Sequence, residues 1–243
     1  MKMVVCGAAG RMGQAILELL YREKDLTLGA ALDMGADIKK GVETGEVVID
    51  FTSPEATLAI LKEVVFQKKS MVIGTTGFTV EEKKKIIAAS KKIPIVLSPN
   101  MSVGVNVVFK LLADAAFALG DAYDAEIVEM HHRQKKDAPS GTALRMGETI
   151  ARARETTLHE VGRFARNGVI GVRPTEEIGI SSIRGGDVVG DHTVIFAGPG
   201  ERVEITHRAH SRQNFARGAL IAARWVINQK PGLYDMMDVL NLK

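Results

Sequence analysis

Met3-Val4-Val5-Cys6-Gly7-Ala8-Ala9-Gly10-Arg11-Met12-Gly13 opens the chain with a short apolar run that ends in glycines at positions 7, 10 and 13. Ile16, Leu17, Leu19 and Leu20 then continue at helical spacing, so the pattern predicts strand, glycine turn and helix. Glycines so placed permit a tight turn and let a pyrophosphate come close to the helix N-terminus. Many turns contain such glycines, and context has to strengthen the reading. Residues 26–31 form a second strand, and Asp33 stands 20 residues beyond Gly13, where a ribose-binding acid is expected. Together these features point to dinucleotide binding.

Working outward, residues 47–51 read as a buried strand, and Thr52-Ser53-Pro54 caps a helix whose stripe is Ala59, Ile60, Val64 and Val65. Residues 71–73 form the next strand, ending in Gly74-Thr75-Thr76-Gly77. A helix over 81–92 and a strand over 95–97 lead into Ser98-Pro99-Asn100-Met101, while 34–46 is polar and glycine-rich. Alternating strands and helices predict a parallel sheet covered on both faces. On residue chemistry alone the turns at 74–77 and 98–101 are ordinary strand ends, as ready to miss a cofactor as to touch one.

The pattern changes after an apolar helix at 105–119. Strands are expected at 123–130, 177–184, 188–197 and 202–209, with Gly185-Gly186-Asp187 and Gly198-Pro199-Gly200 as turns. Strands joined by tight turns imply an antiparallel or mixed sheet. The fold expected is therefore α/β: a Rossmann-type parallel-sheet domain from residues 1–102 and 211–243, with an α+β domain, 103–210, inserted in it. A last helix over 212–228 turns Phe215, Ala219, Ala222 and Ala223 toward a core.

The strand at 123–130 places Ile127 and Glu129 on one face and Val128 and Met130 on the other, and it runs into His131-His132-Arg133-Gln134-Lys135-Lys136-Asp137-Ala138-Pro139-Ser140-Gly141-Thr142-Ala143. Leu144, Met146, Ile150 and Ala151 then recur at helical spacing, so these residues form a strand-to-helix loop. Five basic groups lie within it, and the N–H groups of Ser140, Gly141 and Thr142 open the helix. Charge and the helix dipole both favour an anion, and a ligand bearing carboxylates fits best. A solvated basic turn is the plainer reading. Against it stand two adjacent histidines that titrate near neutral pH, and Gly141, which admits a close backbone approach. A zinc site is a third reading, but consecutive strand histidines point to opposite sides and no cysteine is near. His207 and His210 read as exposed strand-end residues, and His192 and His159 as structural ones.

The run from His131 to Ala143 resembles the signature of the 4-hydroxy-tetrahydrodipicolinate reductases, and Gly10 to Gly13 resembles that family's glycine turn. The resemblance covers nearly the whole chain, to Leu233-Tyr234-Asp235-Met236-Met237-Asp238-Val239-Leu240. It implies NADH- or NADPH-dependent reduction of 4-hydroxy-tetrahydrodipicolinate in diaminopimelate and lysine biosynthesis. It further implies His131 and Lys135 as proton donors, His132 and Lys135 as substrate contacts, and Ser140, Gly141 and Thr142 as the carboxylate site. Cofactor contacts are implied at Gly7, Ala8, Ala9, Gly10, Arg11, Met12, Asp33, Gly74, Thr75, Thr76, Ser98, Pro99, Asn100, Met101, Arg212 and Phe215. The inserted domain is implied to bind substrate and to assemble a homotetramer. Asp33 is followed by Met34 where many members carry an arginine that meets a 2′-phosphate, and segment 33–47 is shorter than usual.

Composition excludes other classes. A net charge of +3, from 32 basic and 29 acidic residues, with aromatics at 5%, gives no basis for a nucleic-acid partner. Cys6 is the only cysteine, so no disulfide forms within the chain and a reducing compartment is permitted. No unbroken apolar run reaches the length of a membrane span, and the chain enters a strand at once, leaving no room for a signal peptide. A cytoplasmic enzyme with no membrane partner is expected. Two other readings share the first domain: a dehydrogenase acting on an amino-acid imine, and a non-catalytic NAD(P)H sensor.

Overall fold

The computed structural model describes all of residues 1–243, which divide into two compact units, Met1–Val103 with Arg212–Lys243, and Gly104–Ser211. The first unit begins β1 (Lys2–Cys6), α1 (Arg11–Leu20), β2 (Thr27–Leu32), α2 (Ile38–Glu43), β3 (Val47–Asp50), α3 (Pro54–Phe66), β4 (Ser70–Ile73), α4 (Val80–Ser90) and β5 (Pro94–Leu97). Every residue of β3 and β4 is buried, as strands covered on both faces require. α3 starts where Ser53 Oγ accepts from Ala56 N–H and Pro54 takes the first helical position. Thr79 and Glu82 form a capping box at the head of α4. The polar stretch after β2, expected to be irregular, contains α2: Asp37 caps it by accepting from Lys40 N–H at 3.1 Å, and Val42 is buried in the core. Six residues are too few to show helical periodicity in the sequence.

The second unit holds α5 (Val103–Leu119) from its second residue onward, a 3₁₀ turn (Gly120–Ala122), β6 (Asp124–His131), α6 (Gly141–Ala153), α7 (Leu158–Val161), β7 (Gly162–Arg163), β8 (Ile178–Arg184), β9 (Gly190–Gly198) and β10 (Glu201–Ala209). Its sheet has the order β10-β9-β6-β8-β7 and is mixed. β9 runs antiparallel to both β6 and β10, whereas β8 runs parallel to β6 and β7. Ala125, Ile127, Ile178, Ile180, Val194 and Phe196 form a core with Val108, Leu112, Met146 and Ile150 of the helices. Val128, Met130, Ile183 and Ile195 lie outside the unit's apolar core and occupy the sheet's other face. By length and composition Val103–Ala122 would suit a membrane span, although Lys110 and Asp114 interrupt its apolar run. Here Val105, Asn106, Val108, Phe109, Leu112 and Ala116 of that helix are buried, and Lys110 pairs with Asp114 at 3.1 Å.

The chain then returns to the first unit with α8 (Gln213–Val226), β11 (Gly232–Tyr234) and α9 (Met236–Val239). β11 adds in parallel beside β5, completing a six-stranded sheet of order β11-β5-β4-β3-β1-β2 in which every pairing is parallel. The helix at 212–228 is therefore not the last element, because a three-residue strand and a one-turn helix follow it. Alternate strand residues serve opposite layers, as the pleat demands. Met3, Val5, Ile49, Val72 and Val96 meet Ile16, Leu20, Ala216, Ala219 and Ala223 on one face. Val4, Cys6, Val48, Met71, Ile73 and Ile95 meet Ile60, Val64 and Ile86 on the other. α8 approaches closely because its buried stripe is small. A Cβ on Gly218 would collide with the Met101 carbonyl. β2 lies on one side of β1 and β3 on the other, so the strand order reverses at the C-terminal end of β1, the usual ligand position in an open parallel sheet.

Candidate active site

The glycine turn stands at that reversal. Gly7 has φ +77°, and a Cβ there would meet the Phe51 carbonyl; a Cβ on Gly13 would run into Gly7 and Ala8. Both positions need glycine so that turn, strand and helix can pack. Gly10 is the N-cap of α1 and supplies no side-chain hydrogen bond, so Arg11 and Met12 begin the helix without a side-chain cap. This arrangement suits a pyrophosphate. At the end of β2, Asp33 accepts from Ala9 N–H at 2.6 Å and from Met34 N–H at 2.9 Å, and these donors hold its carboxyl below the ordinary range. The acid thus stands beside the turn, and Met34 after it is fully exposed.

The other expected cofactor residues lie at the same edge of the sheet. Gly74, Thr75 and Thr76 follow β4, and Ser98 to Met101 follow β5. A Cβ on Gly74 would enter the Phe51 ring. Thr75 Oγ1 donates to Asp50 at 3.1 Å and accepts from Thr52 N–H at 2.9 Å. Asp50 is fully buried and also takes the hydroxyls of Thr52 and Thr57. Burial pushes its pKa up against those three donors. This knot, absent from the sequence reading, ties the β3 and β4 turns together. Ser98 Oγ donates to the Asn100 carbonyl at 2.9 Å, Pro99 lies between them, and Met101 is buried. Arg212 is the N-cap residue of α8, and Phe215 lies in its first turn, one turn before Gly218.

In the second unit β6 delivers Glu129 and His131 to the buried face, because the strand alternates without a break. Glu129 is fully buried and its oxygens are saturated. Arg184 of β8 donates to both, at 2.9 and 2.7 Å; His131 Nδ1 lies 2.5 Å from Oε2, and Ser140 N–H donates to Oε1 at 3.2 Å. Burial alone would raise the Glu129 pKa, but the guanidinium, the Ser182 hydroxyl and His131 outweigh it and hold the group at about 2. Glu129 is thus a carboxylate throughout the neutral range. For His131, burial lowers the pKa and outweighs the opposing pull of Glu129. His131 packs edge-on against His192, with ring centroids 5.1 Å apart. His192, read from the sequence as structural, is part of this cluster: its Nε2 lies 3.0 Å from Ser140 Oγ, and burial, followed by the neighbouring His131, lowers its pKa to about 4.

The loop between β6 and α6 is anchored from both ends. His132 N–H donates to the Val188 carbonyl, and Arg184 reaches the Asp137 carbonyl at 2.7 Å. Lys135 Nζ pairs with Asp137 at 2.9 Å and retains some exposure. Ser140 caps α6 through Oγ, which accepts from Ala143 N–H at 3.1 Å, while its own N–H is turned to Glu129. Gly141 has ordinary φ and open space around its Cβ position, so nothing in the fold requires glycine there. Glu129, Arg184 and His192 were not singled out as site residues from the sequence. Glu129 gave one signal, a charged residue in the buried register of a strand.

A nucleotide-type glycine turn on a parallel sheet, together with a separate unit carrying a basic loop and a buried carboxylate–histidine pair, defines a two-domain, nucleotide-dependent oxidoreductase. Residues 1–101 match the family described as dihydrodipicolinate reductase, N-terminus, and residues 104–240 the corresponding C-terminus. The chain belongs to the dihydrodipicolinate reductase family. It is 50% identical to the 4-hydroxy-tetrahydrodipicolinate reductase of Geotalea uraniireducens and 49% identical to that of Geobacter sulfurreducens, with 100% of this chain and 99% of each relative covered. Each alignment spans 265 positions against 243 residues, so at least 22 positions of these relatives have no counterpart here. A dipicolinate-bound dihydrodipicolinate reductase from Paenisporosarcina sp. TG-14 shares the fold, with TM-score 0.78 at 24% identity over 98% of both chains.

Proposed function

We propose that the chain reduces 4-hydroxy-tetrahydrodipicolinate to tetrahydrodipicolinate with NADH or NADPH, with loss of water, in diaminopimelate and lysine biosynthesis in the cytoplasm. The observation that carries this reading is the stretch 129–143, where a buried histidine–carboxylate pair, a lysine and a helix N-terminus with a freely placed glycine occur together. A dicarboxylate meets the lysine and the dipole of α6. Gly141 and Thr142 at the helix end, with Ser140 as its cap, receive one carboxylate, and His132 helps to hold the substrate. His131 and Lys135 are the proton donors.

On the first unit, Gly7 to Met12 would hold the pyrophosphate and Asp33 a ribose. Gly74 to Thr76, Ser98 to Met101, Arg212 and Phe215 would line the nicotinamide side. The nicotinamide supplies hydride when bound. The side chains orient the substrate and deliver the balancing proton. Val128, Met130, Ile183 and Ile195 favour burial of their sheet face against further copies of the chain, consistent with a homotetramer. Light scattering coupled to size exclusion checks that mass.

The deciding experiment follows NADH absorbance with substrate generated by the preceding synthase. Oxidation dependent on that substrate is expected. Oxidation only with an amino-acid imine would favour the related dehydrogenase, and NADH binding without turnover on either would favour a sensor.

A further inference from the structure

Glu129 has no part in the roles assigned above, yet it is fully buried and points all its acceptor capacity at four groups. Three of them, Arg184, the Ser140 N–H and the Ser182 hydroxyl, fix the carboxylate. The guanidinium grips both oxygens, a planar fork that sets orientation as well as charge. Arg184 is itself held by the Asp137 carbonyl. The remaining contact, at 2.5 Å, is to His131 Nδ1. An ionised carboxylate accepts only, so Nδ1 carries the proton and Nε2 is the nitrogen left for a ligand. The ring has little room to turn away. A methyl on Gly190 would stand 2.9 Å from Nε2, and His192 lies edge-on to it.

We propose that Glu129, clamped by Arg184, is a positioning residue that fixes the tautomer and orientation of His131 so that Nε2 exchanges the proton with substrate. This rests on the reading of His131 as a proton donor. His131 faces Glu129 from its own strand, Arg184 from β8, His192 from β9 and Lys135 from the loop, and burial disfavours its charged form. A dicarboxylate bound beside it adds negative charge and favours the imidazolium. The Nε2–H bond then breaks as the proton passes to the substrate and hydride adds to the conjugated imine. Neutral imidazole remains, with Nδ1–H still on Glu129, and solvent restores the proton. The carboxylate stabilises the charged ring as the buried aspartate of a hydrolase triad does.

The test is Glu129→Gln in the full enzyme with histidine ring nitrogens labelled for NMR. The unmodified enzyme should show His131 as the Nδ1–H tautomer. In the variant the amide oxygen is claimed by the fixed Ser140 N–H and Arg184, which turns the amide NH₂ toward His131 and reverses the tautomer. Turnover should fall about 10²- to 10⁴-fold with a small change in KM for the dicarboxylate. An Nε2–H tautomer in the unmodified enzyme would overturn the proposal even if the variant failed to fold. So would a variant with full kcat, or one whose kcat falls while His131 keeps Nδ1–H. If the unmodified enzyme did not turn over the dipicolinate substrate, the functional reading would fail, while the tautomer measurement would still judge the contact to Glu129.

Discussion

Replacing Arg184 by Met should destabilise the protein by about 3 kcal/mol near neutral pH, and the loss should shrink in acid. Met keeps much of the apolar stem, so the change removes mainly the charge. The magnitude follows from Glu129, whose carboxyl stands at about 2 instead of 4.5. At about 1.4 kcal/mol per unit this difference corresponds to about 3.5 kcal/mol for all the donors together; Arg184 contributes most of it, about 3 kcal/mol, at the lower end of the roughly 3–5 kcal/mol seen when one partner of a buried pair is removed. The lower end is appropriate because Arg184 retains about a fifth of its side-chain exposure. In the parent protein a folded pKa below the unfolded value gives stability that is present above 4.5 and lost as pH falls toward about 2. Without the guanidinium, burial is opposed only by Ser182, Ser140 N–H and His131, so the Glu129 pKa climbs and acid no longer costs the variant that stability. Urea unfolding at one protomer concentration, at about pH 7 and about pH 3, measures the gap. A loss below about 1 kcal/mol near neutrality, or a gap that does not narrow in acid, would refute the reasoning.

NADH should serve at least as well as NADPH, because Asp33 accepts from ribose hydroxyls and repels a 2′-phosphate, and exposed Met34 offers no countercharge; a kcat/KM ratio favouring NADPH by about tenfold would contradict this. Lys135→Ala should lower turnover by about 10²- to 10⁴-fold with the fold intact, since the Lys135 side chain pairs with the neighbouring Asp137 and supports no core. A lower melting temperature with unchanged kcat would make it structural. His131→Gln should lower kcat with little change in KM, whereas His132→Gln should chiefly raise KM for the dicarboxylate, and neither should impair NADH binding. Equal defects in both variants would show the two histidines acting as one unit.

The sequence by itself determined the parts of this protein that depend on local order. The spacing of Gly7, Gly10 and Gly13 after an apolar run fixes strand, turn and helix, because only glycine tolerates the φ of Gly7 and the close packing at Gly13. Period-2 alternation likewise put Glu129 on the same face of β6 as Ile127, and the structure shows that this face is the buried one. Short elements escaped it: α2, β11 and α9 have six, three and four residues, too few for any period to show. The tertiary structure alone decided who neutralises Glu129. Arg184 lies 55 positions away on β8, and His192 and Ser140 meet across 52. Those distances are closed by pairing β6 in parallel with β8 and antiparallel with β9. A charged residue in a buried register announces that it needs partners. Which residues these are depends on strand neighbours, and strand neighbours are set by the packing of the whole sheet.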